Sequence, residues 1–114
     1  AAFLPSVRMG SLKKIVFITS QMGSIGAQAS GDHYGYRASK AALNMLGRCL
    51  SLELRPEEVT VLLVHPGWVR TRMGGQQASL SPEESVAGML GVIDGAGLGA
   101  SGQFLTHEGE ELPW

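Results

Sequence analysis

The sequence lacks the marks of several common classes of protein. Its apolar runs are short, far below the ~20 residues that a helix needs to cross a bilayer, and no basic segment followed by an apolar stretch indicates a secretory signal. Nine Lys and Arg residues against ten Asp and Glu residues give a net charge of -1, without the basic excess of a nucleic-acid binder. We therefore expect neither a membrane nor a nucleic acid as a partner.

Cysteine and metal-ligand patterns are also scarce. Cys49 is the single cysteine, so no internal disulfide can form, and a reducing, cytoplasmic location is expected. We predict that Cys49 is a core residue on the apolar stripe of a helix. His33, His65 and His107 lack the spacing of metal ligands, and His65 is interpreted as the structural end of a strand. No metal site is predicted.

Glycine, in contrast, is abundant. It supplies 16 of 114 residues, about double its average usage, and it is interspersed with periodic segments, so it predicts tight turns between short elements. Hydrophobic residues make up 44% and charged residues 17%, a balance that excludes a disordered chain. The length suits one domain or part of one.

The hydrophobic pattern predicts strands that alternate with helices. Apolar, β-branched runs at 13–19 and 59–64 have the pattern of buried strands, and a last short strand is expected at 103–106. Apolar residues at helical spacing predict a long helix over 34–54 and a second helix over 82–95. Before these elements, the sequence predicts a helix tail or loop broken at Pro5 and a turn at Gly10 and Ser11.

The order β-α-β-α-β implies parallel strands and right-handed crossovers. We therefore predict a three-layer α/β/α, Rossmann-like fold. Ser81, Pro82 and Glu84 form a capping-box pattern that begins the second helix. The string Gly97–Gly102 matches G-x-G-x-x-G, but it follows a helix and opens a strand, which is the wrong context for a cofactor loop. It is interpreted as a turn.

Three distant segments are expected to meet at one edge of this sheet. Ser20 follows the first strand, Tyr36 lies in the first turn of the long helix, and Pro66, Gly67 and Thr71 follow the second strand. Ligands of open α/β sheets bind at the carboxyl ends of the strands. The convergence therefore predicts a binding or catalytic site there.

Tyr36 and Lys40 are the sharpest pair in this set. Four residues apart on a helix, they face the same way. A phenol ordinarily titrates far above neutral pH, and an ammonium beside it favours the phenolate, so the pair can serve as a general acid or base toward a carbonyl or alcohol oxygen. Ser20 could hold the same oxygen. The alternative is an ordinary amphipathic helix with Tyr36 half buried and Lys40 solvated.

Four strings together resemble the carboxyl-terminal half of a classical short-chain dehydrogenase/reductase. They are IVFITSQMGSIG (15–26), YRASKAALN (36–44), VLLVHPGWVRTRMGG (61–75) and the final strand (102–106). The resemblance is greatest to the carbonyl-reductase-like or C-factor-like members. It rests on TSQMGSI, GWVRTRMGG, SPEES and the terminal Pro-Trp. It covers nearly the whole chain.

The resemblance implies catalytic roles for three residues. Ser20 matches the serine that positions the substrate carbonyl, Tyr36 matches the acid/base, and Lys40 matches the lysine that favours the phenolate. Ser24, in the same loop, is the alternative for the role given to Ser20. The implied reaction is hydride transfer between NAD or NADP and a small-molecule carbonyl or secondary alcohol.

Cofactor contacts are implied in the same way. Tyr36 and Lys40 match the pair beside the nicotinamide ribose, Pro66 and Gly67 match the turn beside the nicotinamide, and Thr71 matches the hydroxyl that contacts its carboxamide. Trp68 could cover the nicotinamide pocket or simply pack.

The chain also departs from the family pattern. The glycine-rich cofactor turn, the Asn-Ala-Gly segment and the catalytic asparagine of the family are not in this sequence, and Arg72 stands where related sequences commonly have Asp. We therefore interpret residues 1–114 as the carboxyl-terminal part of one domain and expect the chain alone to be inactive. The intact protein is expected to be a homo-oligomer.

Two other functions are alternatives to this one. A non-catalytic interaction domain, derived from a reductase and lacking cofactor binding, is favoured by the missing cofactor elements. A phosphate-accepting signalling domain of similar topology needs an acidic residue at a strand end, where Ser20 and His65 stand instead. The strand at 14–19 is expected to be a sheet edge, so association through it, or through the exposed face of the 34–54 helix, is predicted.

Overall fold

Residues 13–114 are described by a computed structural model. The strands are β1 (Lys14–Ile18), β2 (Thr60–His65) and β3 (Phe104–Thr106), and the helices are α1 (Tyr34–Leu54) and α2 (Pro82–Gly95). The described strands form one parallel sheet in the order β1-β2-β3, which confirms the predicted fold class. The expected break at Pro5 and the turn at 10–11 lie outside the described residues.

Strand β2 is the centre of the sheet, as its uninterrupted apolar pattern predicts. It pairs with β1 from Thr60 to Val64 and with β3 from Leu63 to His65. Its central residues are fully buried because helices cover both faces: Val61, Leu62, Leu63 and Val64.

Alternation along the strands divides the core into two clusters. On the face covered by α1, a cluster forms from Ile15, Leu54, Val59 and Val61, with Phe17 and Leu50 packed against it. On the face covered by α2, a second cluster forms from Leu62, Val64, Met89 and Leu105, with flanking residues that include Val16, Val92 and Ile93. The result is the predicted three-layer arrangement.

Helix α1 turns a seam of mostly small or polar residues toward the interior: Asn44, Gly47, Ser51 and Leu54. A Cβ on Gly47 would lie only 2.6 Å from Leu63 Cδ2, so glycine lets the helix approach β2 closely. The prediction that Cys49 is a core residue was wrong: it is exposed, as is Leu46. Small residues permit close packing of α1 on the sheet, so the helix turns that face inward. The larger apolar side chains at 46 and 49 consequently face outward.

Helix α2 begins with the predicted capping box. Ser81 Oγ accepts from the Glu84 amide at 3.1 Å, and the Ser81 amide donates to Glu84 Oε1 at 3.0 Å. The hydrogen bond from the Ser81 backbone, followed by that from its side chain, lowers the pKa of Glu84. At the other end of the helix, Lys14 Nζ donates to the Ile93 carbonyl at 2.6 Å. A cation is favourable there because carbonyl groups accumulate at a helix C-terminus.

The two edges of the sheet differ. The outer edge of β3 is covered by the following segment, because the Thr106 amide donates to Glu110 O at 2.8 Å and the Leu112 amide donates to Phe104 O at 2.7 Å. Within residues 13–114, no strand lies beside the outer edge of β1, as expected. In the same range, no helix is long and apolar enough to cross a membrane.

Candidate active site

Ser20 lies directly beyond the carboxyl end of β1, where it caps a short 3-10 helix (Gln21–Gly23). Its side chain is buried, and Oγ accepts a hydrogen bond from the Met22 amide at 3.1 Å. A hydroxyl that accepts one bond still has its own hydrogen to donate. The cap therefore fixes the position of Oγ while leaving it a donor.

Tyr36 and Lys40 lie on the same face of α1, as their spacing predicts. Lys40 Nζ is 5.6 Å from the centroid of the Tyr36 ring, within the range of a cation–π contact. Both residues are partly buried, and Tyr36 is the third residue of the helix. The ammonium thus sits beside the phenol, where its charge acts on the ring.

Gly23 brings the Ser20 loop against this helix. A Cβ at Gly23 would lie 2.8 Å from the carbonyl carbon of Lys40 and 2.9 Å from Asn44 Nδ2. Only a residue without a side chain permits that approach. The loop that carries Ser20 is consequently packed on α1 at Lys40, one turn after Tyr36.

Ser24, the alternative to Ser20, is occupied within the fold. It is buried, its Oγ accepts from the Ala27 amide at 3.1 Å, and its hydroxyl donates to the Pro113 carbonyl. The same segment is held by Trp114, whose main-chain oxygen accepts from the Gly26 amide at 2.9 Å. Ser24 is therefore a structural link between the loop and the segment at 113–114.

His65 contacts the Ser20 loop from β2. Its Nδ1 accepts from the amide of Gln21 at 3.0 Å, across 44 positions of sequence. Burial, and then the nearby charge of His107, lowers the pKa of His65. Interpreting His65 only as a strand end missed this contact, because nothing in the local pattern indicates a partner so far along the chain.

The Pro66-Gly67 turn follows β2 at the same edge. Gly67 has a φ of +88°, a conformation that favours glycine, and a Cβ there would collide with Leu80 and lie 3.0 Å from His107 Nδ1. The Pro66 carbonyl accepts from Ser85 Oγ at 2.6 Å. The turn is therefore held in one shape by α2 and by the residue after β3.

Thr71 and Trp68 stabilise the exposed loop that continues from this turn. Thr71 Oγ1 accepts from the Gly74 amide at 3.1 Å, and Trp68 Nε1 donates to the Gly74 carbonyl at 2.8 Å. Trp68 is largely exposed and is bonded to its own loop, which agrees with a packing role.

Asp32 and Arg37 hold the start of α1. Arg37 donates to Asp32 Oδ1 at 2.8 Å, and this contact, followed by that of His33, lowers the pKa of Asp32 to about 2. The sequence pattern does not indicate this pair, because the spacing of five residues spans a loop and is not a helical one. The pair joins the residues before α1 to the helix turn on which Tyr36 lies.

The Gly97–Gly102 string lies away from these residues. It contains a 3-10 turn (Leu98–Ala100) and precedes β3, so it is at the amino edge of the parallel sheet, whereas Ser20 and Gly67 are at the carboxyl edge. Its interpretation as a turn agrees with this placement. Across residues 13–114, no group of three or more His, Cys, Asp or Glu side chains could hold a metal ion.

Comparison with known families settles the ancestry of the chain. A family model described as short chain dehydrogenase matches residues 1–81. The chain belongs to the short-chain dehydrogenase family. The resemblance inferred from the sequence is thereby confirmed.

Individual relatives agree. The chain is 50% identical over 114 residues to the C-signal of Myxococcus xanthus, covering all of the chain and 69% of that protein. It is 39% identical to 1-hydroxy-2-glutathionyl-2-methyl-3-butene dehydrogenase of Rhodococcus sp. (strain AD45), covering 89% of the chain and 46% of the relative.

Solved structures show the same fold. The NADPH-bound carbonyl reductase from chicken fatty liver superposes with a TM-score of 0.90 at 38% identity, covering 99% of this chain and 50% of that one. The carbonyl reductase Sniffer of D. melanogaster gives 0.86 at 37% identity, covering 89% and 41%. The chain thus spans half or less of the length of these reductases.

Proposed function

We propose that this chain is the carboxyl-terminal, catalytic part of an NAD(P)-dependent reductase that interconverts a carbonyl and a secondary alcohol. The observation that carries the proposal is the contact of Lys40 with the Tyr36 ring, on a helix against which Gly23 packs the Ser20 loop. The likeness to two carbonyl reductases supports it. The substrate class is a small molecule that carries a ketone or aldehyde.

The proposed mechanism uses three side chains. The Tyr36 phenol donates a proton to the carbonyl oxygen during reduction and accepts it from the alcohol during oxidation. The Ser20 hydroxyl, fixed by the Met22 amide, donates a hydrogen bond to the same oxygen. The Lys40 ammonium stabilises the phenolate that remains after proton transfer. A nicotinamide cofactor, when bound, would supply the hydride for the carbonyl carbon, and the proton from Tyr36 would complete the alcohol.

The described residues fit one end of such a cofactor. Lys40 offers an ammonium for ribose hydroxyls, Thr71 a hydroxyl for a carboxamide, and Pro66 and Gly67 a turn of fixed shape for a flat ring. The Gly97–Gly102 string precedes β3 and so lies at the opposite edge of the sheet, too far from these residues to hold the pyrophosphate of the same cofactor. We therefore propose NAD or NADP as cofactor, with its phosphates held by residues outside this chain.

The test is Tyr36→Phe in the full-length protein that carries this chain, with an aromatic aldehyde and NADPH as the probe reaction. Loss of the phenol should lower kcat by at least ~10²-fold while the ring still packs. Tyr34→Phe is the matched control, because Tyr34 is two residues away and exposed, and it should leave kcat unchanged. Near-parental reduction by Tyr36→Phe would contradict the proposal.

A second candidate is a non-catalytic interaction domain. The observation that favours it is the match of the whole chain, at 50% identity, to a protein named C-signal. It predicts that Tyr36→Phe changes no biological activity and that the chain acts without a nicotinamide cofactor. Cofactor titration of the full-length protein separates the candidates, since only the reductase requires binding.

A further inference from the structure

The short turn after β1 has one amide that is bonded outside the turn. The Met22 amide donates to Ser20 Oγ, the Gly23 amide to Ser20 O and the Ser24 amide to Gln21 O. The Gln21 amide instead donates to Nδ1 of His65 at 3.0 Å. The residue next to Ser20 is therefore tied to the end of the central strand.

The hydrogen bond from Gln21 to His65 joins the loop to a rigid part of the fold. His65 is the last residue of β2 and pairs with Thr106 of β3, and the preceding residues of β2 are fully buried. The loop is also joined to β2 through the main chain just before Ser20, where the Thr19 amide donates to Val64 O at 2.9 Å. The imidazole adds a side-chain tie just after Ser20, so the two bonds hold the serine from both sides.

We propose that His65 is a positioning residue for the candidate catalytic serine: through Nδ1 it holds the Gln21 amide and so sets where Ser20 Oγ lies. The inference rests on the roles proposed for Ser20 and Tyr36. Because displacement of a reacting group by about 1 Å can cost 10²-fold in rate, the anchor bears on kcat more than on binding.

The anchor requires a particular protonation state. A neutral imidazole can accept at Nδ1, whereas a protonated one carries hydrogen on both nitrogens and accepts at neither. The titratable group that acts on His65 from the neighbouring strand end is His107, whose Nε2 is 3.9 Å from Glu108 Oε1. Burial, and then His107, lowers the pKa of His65 and so favours its neutral form. Acidification should therefore release the Gln21 amide.

The experiment compares His65→Asn with His65→Leu in the full-length protein. Asparagine offers a side-chain oxygen that accepts but does not titrate, and leucine fills similar space without an acceptor. We expect His65→Leu to lower kcat roughly tenfold to hundredfold with little change in KM, and His65→Asn to retain most of kcat. His33→Asn is the control, because His33 is exposed and left-handed, a conformation that asparagine tolerates.

The pH profile supplies a readout that a merely structural role would not change. The parental kcat should fall on the acid side as His65 gains a proton, and this limb should be absent in His65→Asn. Parental kcat in the leucine variant, equal losses in both variants, or an acid limb that persists in His65→Asn would each overturn the proposal. If the leucine variant does not fold, the asparagine profile alone decides.

Amide NMR of the full-length protein tests the anchor without an activity measurement. The Gln21 amide shift should follow the titration of His65 in the parent and stay constant in His65→Asn. If the chemical shift of the Gln21 amide does not change with pH in the parent, the inference is overturned, but the proposed reductase function is not affected. Conversely, full activity of Tyr36→Phe refutes the reductase while this titration still reports on the hydrogen bond.

Discussion

The main-chain oxygen of Trp114 accepts a hydrogen bond from the Gly26 amide at 2.9 Å. The Trp114 ring also stacks on Phe104, with centroids 5.6 Å apart, so the segment at 113–114 joins β3 to the loop that carries Ser20. The Ser24 hydroxyl completes the link by donating to Pro113 O. The loop is thus fixed at both ends, by His65 near its start and by this segment further along.

Ser24→Ala should destabilise the chain. The change removes the partner of the Ala27 amide and of the Pro113 carbonyl, and a hydrogen bond of this kind contributes roughly 0.5–1.5 kcal/mol to stability. The free energy of unfolding in urea measures the effect. Ser79→Ala is the control, since Ser79 is exposed, and it should stay within about 0.5 kcal/mol of the parent. An equal, small effect of both substitutions would show that the link contributes nothing.

Two glycine substitutions should change the stability of the chain differently. Gly23→Ala places a Cβ against the Lys40 backbone, and the forced displacement should cost roughly 1–3 kcal/mol. Gly35→Ala meets no atom within 4 Å and lies in α1, so it should be neutral or stabilise by up to about 1 kcal/mol. Urea unfolding of the two variants gives the comparison. If Gly23→Ala were as stable as Gly35→Ala, the close packing of the loop on α1 would be wrong.

The capping box of α2 predicts that one substitution at Ser81 lowers stability and that another restores it. Ser81→Ala removes the side-chain acceptor of the Glu84 amide and should cost about 1 kcal/mol. Ser81→Asp restores an acceptor and adds a negative charge at the helix N-terminus, so it should recover most of that stability. Thermal unfolding monitored by circular dichroism measures both. Failure of aspartate to recover any stability would argue against the cap.

The lowered pKa of His65 predicts a stability that depends on pH. In the interval between its folded pKa and the ordinary value of 6.5, the unfolded chain binds more protons than the folded chain, so stability rises with pH. The contribution is complete above the unfolded pKa and is lost as pH falls through the folded one. Urea unfolding at pH 7.5 and at mildly acid pH should show a loss in the parent that is smaller in His65→Asn. Equal losses would contradict the prediction.

Association is expected through the edge of β1, which is open among residues 13–114, or through the exposed face of α1. Ile18, at the end of that strand, is largely exposed, and a lysine there should disfavour strand pairing. Sedimentation should show that the parent associates at micromolar concentration and that Ile18→Lys does so less. Ile25→Lys is the control, because Ile25 is exposed but lies outside the strand. A parent that stays monomeric at high concentration would refute the expectation.

Cofactor affinity of the isolated chain is a separate expectation. In the proposed mode of cofactor binding, the described residues contact the nicotinamide end alone, so NADPH should bind very weakly to the 114-residue chain. Fluorescence titration of NADPH measures this directly. Micromolar binding would contradict the proposal that the phosphates are held by residues outside this chain.

The strands and helices could be predicted from the sequence, because their periods and caps are local. The run at β2 and the Ser81 cap are examples, and the Tyr36–Lys40 face follows from helix geometry alone. The exposure of Cys49 could not be predicted, since the helical period does not say which side a sheet will select. Close packing selected Gly47 instead. The hydrogen bond between Gln21 and His65 depends on tertiary structure, so no local pattern contains it.

The segment at 110–112 limits what an associating chain can build. With the edge of β3 covered, residues 13–114 leave the side of β1 as the single open edge of the sheet, so each copy offers one edge for pairing. When two copies pair through β1, both open sheet edges are used, and the product is a closed, twofold dimer. A sheet with two open sides could add copies without limit. The segment at 110–112 thus stops a sheet of paired copies from growing beyond two.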